Sequence, residues 1–239
     1  MTTLTATVAD VHRTTPDVKQ FRLVAEEHGF EYEPGGHTMV HFESDGEEEE
    51  ARPYTAVNLP GGSEDELVLA IGRYEGGNGS VYMHERAPGD EIEVEPVDGD
   101  LHLRDPERDA VLLATGTGIT PLYPMLEQYA KAGSGAAHLV FGERDREDLT
   151  FRESLDRLRA EHGNVTVDYV LSGAGEAWNG RVGHVQDHLP DALDGLDGTE
   201  FYLCGVPEMV VETRELLEGE GVDEDHVYTE GWESDAAEP

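Results

Sequence analysis

The stretch Asp109–Met125, DAVLLATGTGITPLYPM, decides how the chain is read. Val111, Leu112 and Leu113 form a short, wholly apolar run, which suits a strand buried on both faces of a parallel sheet. Gly116-Thr117-Gly118 follows, and glycine lets the backbone turn sharply and come close to a ligand. Pro121 stands where a helix is expected to begin. Leu122, Leu126 and Tyr129 continue at helical spacing, and Gly133 stops them. Strand, glycine turn and helix start make an anion site, because open N–H groups and the positive helix end face the same point. A tight strand-to-helix turn with no ligand is the competing reading. GTG is not the full GxGxxG dinucleotide fingerprint, since Thr120 and Pro121 replace its last glycine region. If Thr120 caps the helix, Pro124 removes the first internal hydrogen bond, so the helix is expected to open irregularly.

Downstream, the pattern alternates. It predicts strands at 110–115, 137–141, 165–171, 200–204 and 226–229, with helices at 121–131, 149–161, 182–189 and 207–218. Alternation of this kind implies a parallel sheet with covering helices. Upstream, short β patterns prevail. Thr5, Thr7, Val8 and Val11 open them, Phe21, Leu23 and Val24 continue, and Met39, Val40 and Phe42 follow a Pro34-Gly35-Gly36 turn. His37, just after that turn, reads as a strand residue. Glu47 to Glu50 reads as a solvated hairpin loop. With Arg52–Val57, Leu67–Ile71 and Ile92–Val97, about six strands and one short helix precede Leu103, a small antiparallel barrel. Arg104–Arg108, RDPER, reads as the linker, giving domains at 1–104 and 105–239.

Charge narrows the function classes. Of 239 residues, 53 are Asp or Glu and 16 are Lys or Arg, a net charge of −37. Only Lys19 and Lys131 are lysines. Such a surface repels nucleic acid and anionic membrane. The acid is spread along the chain rather than held in one tail, which favours adaptation to a salty cytoplasm over an acidic bait for a basic partner. This composition resembles that of haloarchaeal proteins. A single cysteine, Cys204, excludes an internal disulfide and an iron–sulfur cluster held by this chain, which needs about four ligands. There is no charged n-region with an apolar core, and no apolar run approaches about 18 residues. A soluble cytoplasmic protein is expected.

Three further stretches carry chemistry. In Arg52-Pro53-Tyr54-Thr55, alternation puts Arg52 and Tyr54 on one strand face. A guanidinium binds phosphate bidentately and a phenol stacks on a flat ring, although an ordinary exposed strand face reads the same way. Gly76-Gly77-Asn78-Gly79-Ser80 precedes a short helix at Val81–His84, with Ser80 as its expected cap. Cys204-Gly205-Val206-Pro207-Glu208-Met209 follows the apolar strand FYL, at the end where open α/β sheets bind ligands. A lone cysteine is otherwise a small buried hydrophobe. His184 and His188 lie one helical turn apart, but no third metal ligand is near in sequence, so a solvated face is expected and no metal site is assigned.

RPYT at 52–55, GGNGS at 76–80, GTGITP at 116–121 and CGVPEM at 204–209 occur in this order. Together they resemble the four signatures of the ferredoxin–NADP reductase superfamily, and FGERDREDLTFRESL at 141–155 resembles that family's second strand and helix. The resemblance spans nearly the whole chain. It implies an antiparallel FAD-binding β-barrel followed by an α/β parallel-sheet NAD(P)-binding domain. It implies an FAD-dependent oxidoreductase that moves a hydride between NADH or NADPH and the flavin, then single electrons to a separate acceptor such as ferredoxin. The alternative is a non-catalytic flavin-binding subunit of a larger complex.

The resemblance also implies roles. Arg52, in the motif with Pro53, would hold the flavin pyrophosphate, Tyr54 would stack on the isoalloxazine, and Thr55 would hydrogen-bond near flavin N5. Ile71 would lie beside the ring, and Gly79, Ser80 and Val81 would bind the FAD phosphates. Gly116, Thr117, Gly118, Thr120 and Pro121 would hold the NAD(P)H pyrophosphate. Cys204, Gly205 and Met209 would sit by the nicotinamide. Glu230-Gly231-Trp232 resembles a Glu-x-aromatic ending, with Trp232 over the other flavin face; Thr55, Cys204 and Glu230 are the catalytic candidates. The hydride chemistry belongs to the cofactors and needs their reacting atoms about 3–3.5 Å apart. Two departures stand out. The first motif continues as AVNLPGG, without a serine-rich run. Gly173 stands where many NADP-specific members carry arginine, although Arg144, Arg146 or Arg181 could reach back.

Overall fold

Residues 3–25, 29–43, 49–60, 65–74, 76–189 and 198–230 are described in the computed structural model. The chain divides into two units, Met1–His102 and Leu103–Glu238. The first holds β1 (Leu4–Arg13), β2 (Val18–Val24), β3 (His37–Glu43), β4 (Glu49–Thr55), β5 (Glu66–Gly72), α1 (Asn78–His84) and β6 (Glu91–Val94). Its strands run in the order β4-β3-β6-β1-β2-β5, antiparallel throughout. Alternation turns Val8, Phe21, Leu23, Val40, Leu69 and Ile92 inward to one core. The two end strands meet at a corner. Ala56 bridges Leu69, and the Val57 N–H donates to the Val68 carbonyl at 2.8 Å. The sheet thus closes into the expected barrel, and His37 opens β3 as a strand residue.

Two local expectations change here. Glu49 and Glu50 are not loop residues: they open β4, opposite Glu43 and Phe42. β4 is an end strand of the sheet, and end strands tolerate charge because one flank meets water. Glu47 and Glu48 lie outside the described residues. Nor does Ser80 cap α1. The helix begins at Asn78 with Gly77 in the cap position. The Ser80 hydroxyl sits one turn in, donating to the Gly77 carbonyl at 3.0 Å and accepting from the Tyr74 N–H at 3.2 Å.

The second unit holds β7 (Ala110–Thr115), α2 (Ile119–Ala132), β8 (Ala137–Glu143), α3 (Arg152–Glu161), β9 (Val165–Leu171), β10 (Arg181–Val182), β11 (Glu200–Cys204), α4 (Pro207–Gly219) and β12 (Val227–Glu230). Its sheet order is β10-β9-β8-β7-β11-β12, all parallel. From β7 the chain steps outward to β10, then returns to the other side of β7 as β11. Strand order therefore reverses between β7 and β11. Val111, Leu113, Val140, Phe201 and Leu203 pack with Met209, Val210 and Leu217 of α4.

The helix expected at 182–189 does not form. Gly183 takes φ 114°, which breaks a helix. Arg181 and Val182 instead pair with Val170 and Leu171 of β9, and a single 3-10 turn spans Val185–His188. Helix α3 starts at Arg152 rather than 149, because Phe151 is left-handed at φ 60°. Its ring stacks on Tyr123 of α2 at 4.6 Å. Helix α2 opens through a 3-10 turn, Gly116–Gly118, consistent with the irregular start expected from Pro124. Thr120 is not its cap; the hydroxyl donates to the Thr117 carbonyl at 2.8 Å.

Candidate functional site

In the second unit, strand order reverses between β7 and β11, and the carboxyl ends of such strands are where open α/β sheets take their ligands. Two of the quoted stretches end there: GTG leaves β7 and CGVPEM leaves β11. Their backbones touch. A Cβ on Gly118 would lie 2.1 Å from the Cys204 carbonyl oxygen, and one on Gly205 would lie 2.1 Å from Thr115 Oγ1 and 2.8 Å from Met209 Cε. Only hydrogen fits at either position. Gly116 takes φ 58°, the left-handed turn that starts the 3-10 segment. Thr120 and Pro121 are buried behind it in the first turn of α2. The two loops thus pack backbone against backbone, the close approach that glycine allows and that suits a phosphate-bearing ligand.

Cys204 is half-buried and stands in register with Ala114 on one side and Glu230 on the other. Burial and the Glu230 carboxylate push its thiol up to about 12. The sulfur is therefore protonated near neutral pH and is a poor nucleophile. The structure thus brings Gly116, Thr117, Gly118, Cys204, Gly205, Met209 and Glu230 to the carboxyl ends of β7, β11 and β12. Trp232 lies outside the described residues.

In the first unit, β4 projects Arg52 and Tyr54 from one face toward α1. A Cβ on Gly79 would lie 2.9 Å from both Arg52 Cγ and Tyr54 Oη. The RPYT and GGNGS stretches therefore converge, and glycine at 79 is required by that approach. Burial raises the Tyr54 hydroxyl well above its ordinary value, so it remains a neutral donor. Thr55 ends β4 opposite His37, with exposed Pro53 two residues before it. Ile71 is buried near the end of β5, and its carbonyl pairs with His84 Nε2 at 2.8 Å. Val81 belongs to α1, its N–H bonded to the Gly77 carbonyl at 3.0 Å. A part-exposed guanidinium beside a phenol and a glycine gap suits a group with phosphates and a flat ring.

Sequence reasoning missed three participants. The Thr115 hydroxyl accepts from the Val206 N–H at 3.0 Å and fastens the cysteine loop to β7. Asp145 lies across from Gly173, its Oδ1 3.3 Å from where a Cβ would stand. It borders a cavity of about 550 Å³ that Arg152, Leu171 and Trp178 also line. Glu50 pairs with Arg52, Oε2 to Nη2 at 2.9 Å. Each depends on contacts distant in sequence or hidden inside a charge run. Of the arginines read as able to reach back, Arg181 is held by Asp168 at 3.1 Å, Arg144 by Asp145 at 3.7 Å, and Arg146 borders the cavity.

Residues 5–102 match the oxidoreductase FAD-binding domain family, and residues 112–215 match the oxidoreductase NAD-binding domain family. Ferredoxin–NADP reductase B of Sorangium cellulosum is 38% identical over 193 residues, covering 76% of this chain and 78% of that one. The ferredoxin–NAD(P)(+) reductase component of the Pseudomonas putida naphthalene 1,2-dioxygenase system is 28% identical over 229 residues, covering 95% and 68%. The fold matches the crystal structure of a ferredoxin NADP+ reductase from Neisseria gonorrhoeae, solved with FAD and NADP, at a TM-score of 0.84 and 21% identity over 97% and 99% of the two chains. Fold and family together define an FAD-containing, NAD(P)H-dependent oxidoreductase. The chain belongs to the ferredoxin–NADP reductase superfamily.

Proposed function

We propose that this protein passes electrons from NADH or NADPH through FAD to a separate electron-carrier protein, a ferredoxin first among the candidates. The convergence of GTG and CGVPEM at the β7–β11 reversal carries this reading. A sequence 38% identical to a ferredoxin–NADP reductase supports the choice of acceptor. The bound flavin supplies the change from hydride to single-electron chemistry.

In this reading, residues 1–104 bind FAD and residues 105–239 bind the nicotinamide cofactor. Arg52 fixes the flavin diphosphate, with Gly79, Ser80 and Val81 lending backbone. Tyr54 packs its phenol against the flavin ring, Thr55 donates a hydrogen bond near N5, and Ile71 supports the ring through its backbone. Gly116 to Gly118, Thr120 and Pro121 shape the diphosphate bed of the nicotinamide cofactor. Cys204, Gly205 and Met209 would place its ring, with Glu230 beside Cys204 on the neighbouring strand. The protein works in the cytoplasm; among the described residues no helix is long and apolar enough to cross a membrane.

The test mixes the purified yellow protein with NADH, then separately NADPH, without oxygen. Rapid bleaching of the flavin, reversed by oxidised ferredoxin, is the expected result. A flavin that neither cofactor bleaches would favour the non-catalytic subunit instead.

A further inference from the structure

We infer that Glu50 is an internal competitor for the flavin diphosphate: its carboxylate occupies the Arg52 guanidinium, and FAD must dislodge it to load. The inference rests on the assignment of Arg52 proposed above.

Glu50, Arg52 and Tyr54 alternate along β4 and so share a face. Gly79 of α1 abuts Arg52 and Tyr54 on that face. Glu50 spans the two stretches that converge there. Its Oε2 accepts from Arg52 Nη2 at 2.9 Å, and its Oε1 accepts from Asn78 Nδ2, next to Gly79, at 3.2 Å. A second arginine nitrogen, Nη1, donates to the Ala51 carbonyl at 3.0 Å. One guanidinium edge is thus already used by a carboxylate and another by backbone.

Carboxylate and diphosphate seek the same planar fork of donors. Arg52 cannot give both a bidentate contact. If Glu50 swings away, its ion pair and its bond to Asn78 are lost. If it stays, a half-buried negative charge stands beside a dianion. Both routes lower FAD affinity relative to a neutral residue at 50. The residue therefore sets how tightly the flavin is held. The pair is partly exposed, 43% for the arginine side chain and 23% for the glutamate, so the effect is moderate.

The test titrates the full chain, freed of flavin, with FAD and separately with riboflavin, following quenching of flavin fluorescence. Glu50→Gln is expected to tighten FAD binding about three- to fivefold. Riboflavin, which has no phosphate, should bind both proteins equally. In an Arg52→Ala background the Glu50→Gln gain should shrink, because only the repulsion between carboxylate and diphosphate remains there. Glu50→Ala gives the same readout should the amide distort the strand, and a thermal melt checks folding of each. FAD binding by Glu50→Gln that equals or falls below wild type overturns the inference, because Glu50 then orients Arg52 rather than competing for it. A gain undiminished in Arg52→Ala, or one that riboflavin shares, also overturns it. In both cases the wild type still loads FAD and the assignment of the unit stands. A wild type that binds no FAD removes that assignment and this inference together.

Discussion

A Cβ on Gly118 would stand 2.1 Å from the carbonyl oxygen of Cys204, and both partners are backbone. No rotamer can relieve that clash. Gly118→Ala must therefore push the 3-10 turn away from the cysteine loop. We expect it to weaken NAD(P)H binding about tenfold or more while FAD stays bound, since the flavin stretches lie in the other unit. Stopped-flow titration reads this directly, and unchanged affinity would refute these two loops as the nicotinamide-cofactor site.

Cys204→Ser separates placement from packing. The thiol is protonated and the reaction needs no covalent step, so its expected task is to let the nicotinamide ring approach. The variant should keep FAD and bind NADH nearly as before, with hydride transfer slowed about tenfold, roughly 1.4 kcal/mol. kcat and kcat/KM should fall together. A destabilised protein that bleaches at the wild-type rate would show that Cys204 only packs.

Gly173 donates its N–H to the Arg144 carbonyl at 2.8 Å and faces Asp145. A 2′-phosphate arriving there meets a carboxylate, while Arg181 is committed to Asp168. We expect kcat/KM to favour NADH modestly. A clear preference for NADPH would contradict this, and Asp145→Asn should narrow the gap between the two cofactors.

Glu143 ends β8 with its carboxyl raised from an ordinary 4.5 to about 8, by burial and then by nearby Asp148. Between these values the folded protein holds a proton that the unfolded chain has released. Stability contributed by the neutral carboxyl is thus full below about 4.5 and is lost as pH rises toward 8. Glu143→Gln removes the titration. Its thermal midpoint should exceed that of wild type at pH 8, with the gap closing toward pH 5. A gap that does not change with pH would disprove the assignment.

At −37 the folded chain repels itself. Raising salt shortens the screening length from about 10 Å at 0.1 M to about 3 Å at 1 M. The thermal midpoint should climb from dilute to molar KCl. A flat response would remove salt adaptation as the reason for the acidic composition.

The strand at β7 was legible because Val111–Leu113 is apolar throughout and a glycine pair follows it. The crowding of Gly118 on Cys204 was legible only as two motifs, since 86 positions separate the contacting residues and pairing of β7 with β11 decides it. Val182, Val185 and Leu189 carry helical spacing, yet Gly183 and the parallel pairing of Arg181 with Val170 override it. Local periodicity cannot register such a tertiary term. Glu50 was hidden for another reason. Within a run of like charges every residue reads as solvated, and nothing in the spacing signals that one of them turns toward Asn78.

The barrel corner at Ala56 and Leu69 bears on behaviour at high concentration. It joins the end strands over a single bridge, and among the described residues no other strand pairs with that flank of β4. That flank begins with Glu49 and Glu50 and contains Pro53, which has no N–H to offer an incoming strand. In the other sheet the outermost strands, β10 and β12, span two and four residues. Among the described residues, β4, β10 and β12 therefore offer a second molecule little on which to extend the ladder. Crowded and stripped of counterions, this protein should come apart before it forms fibrils.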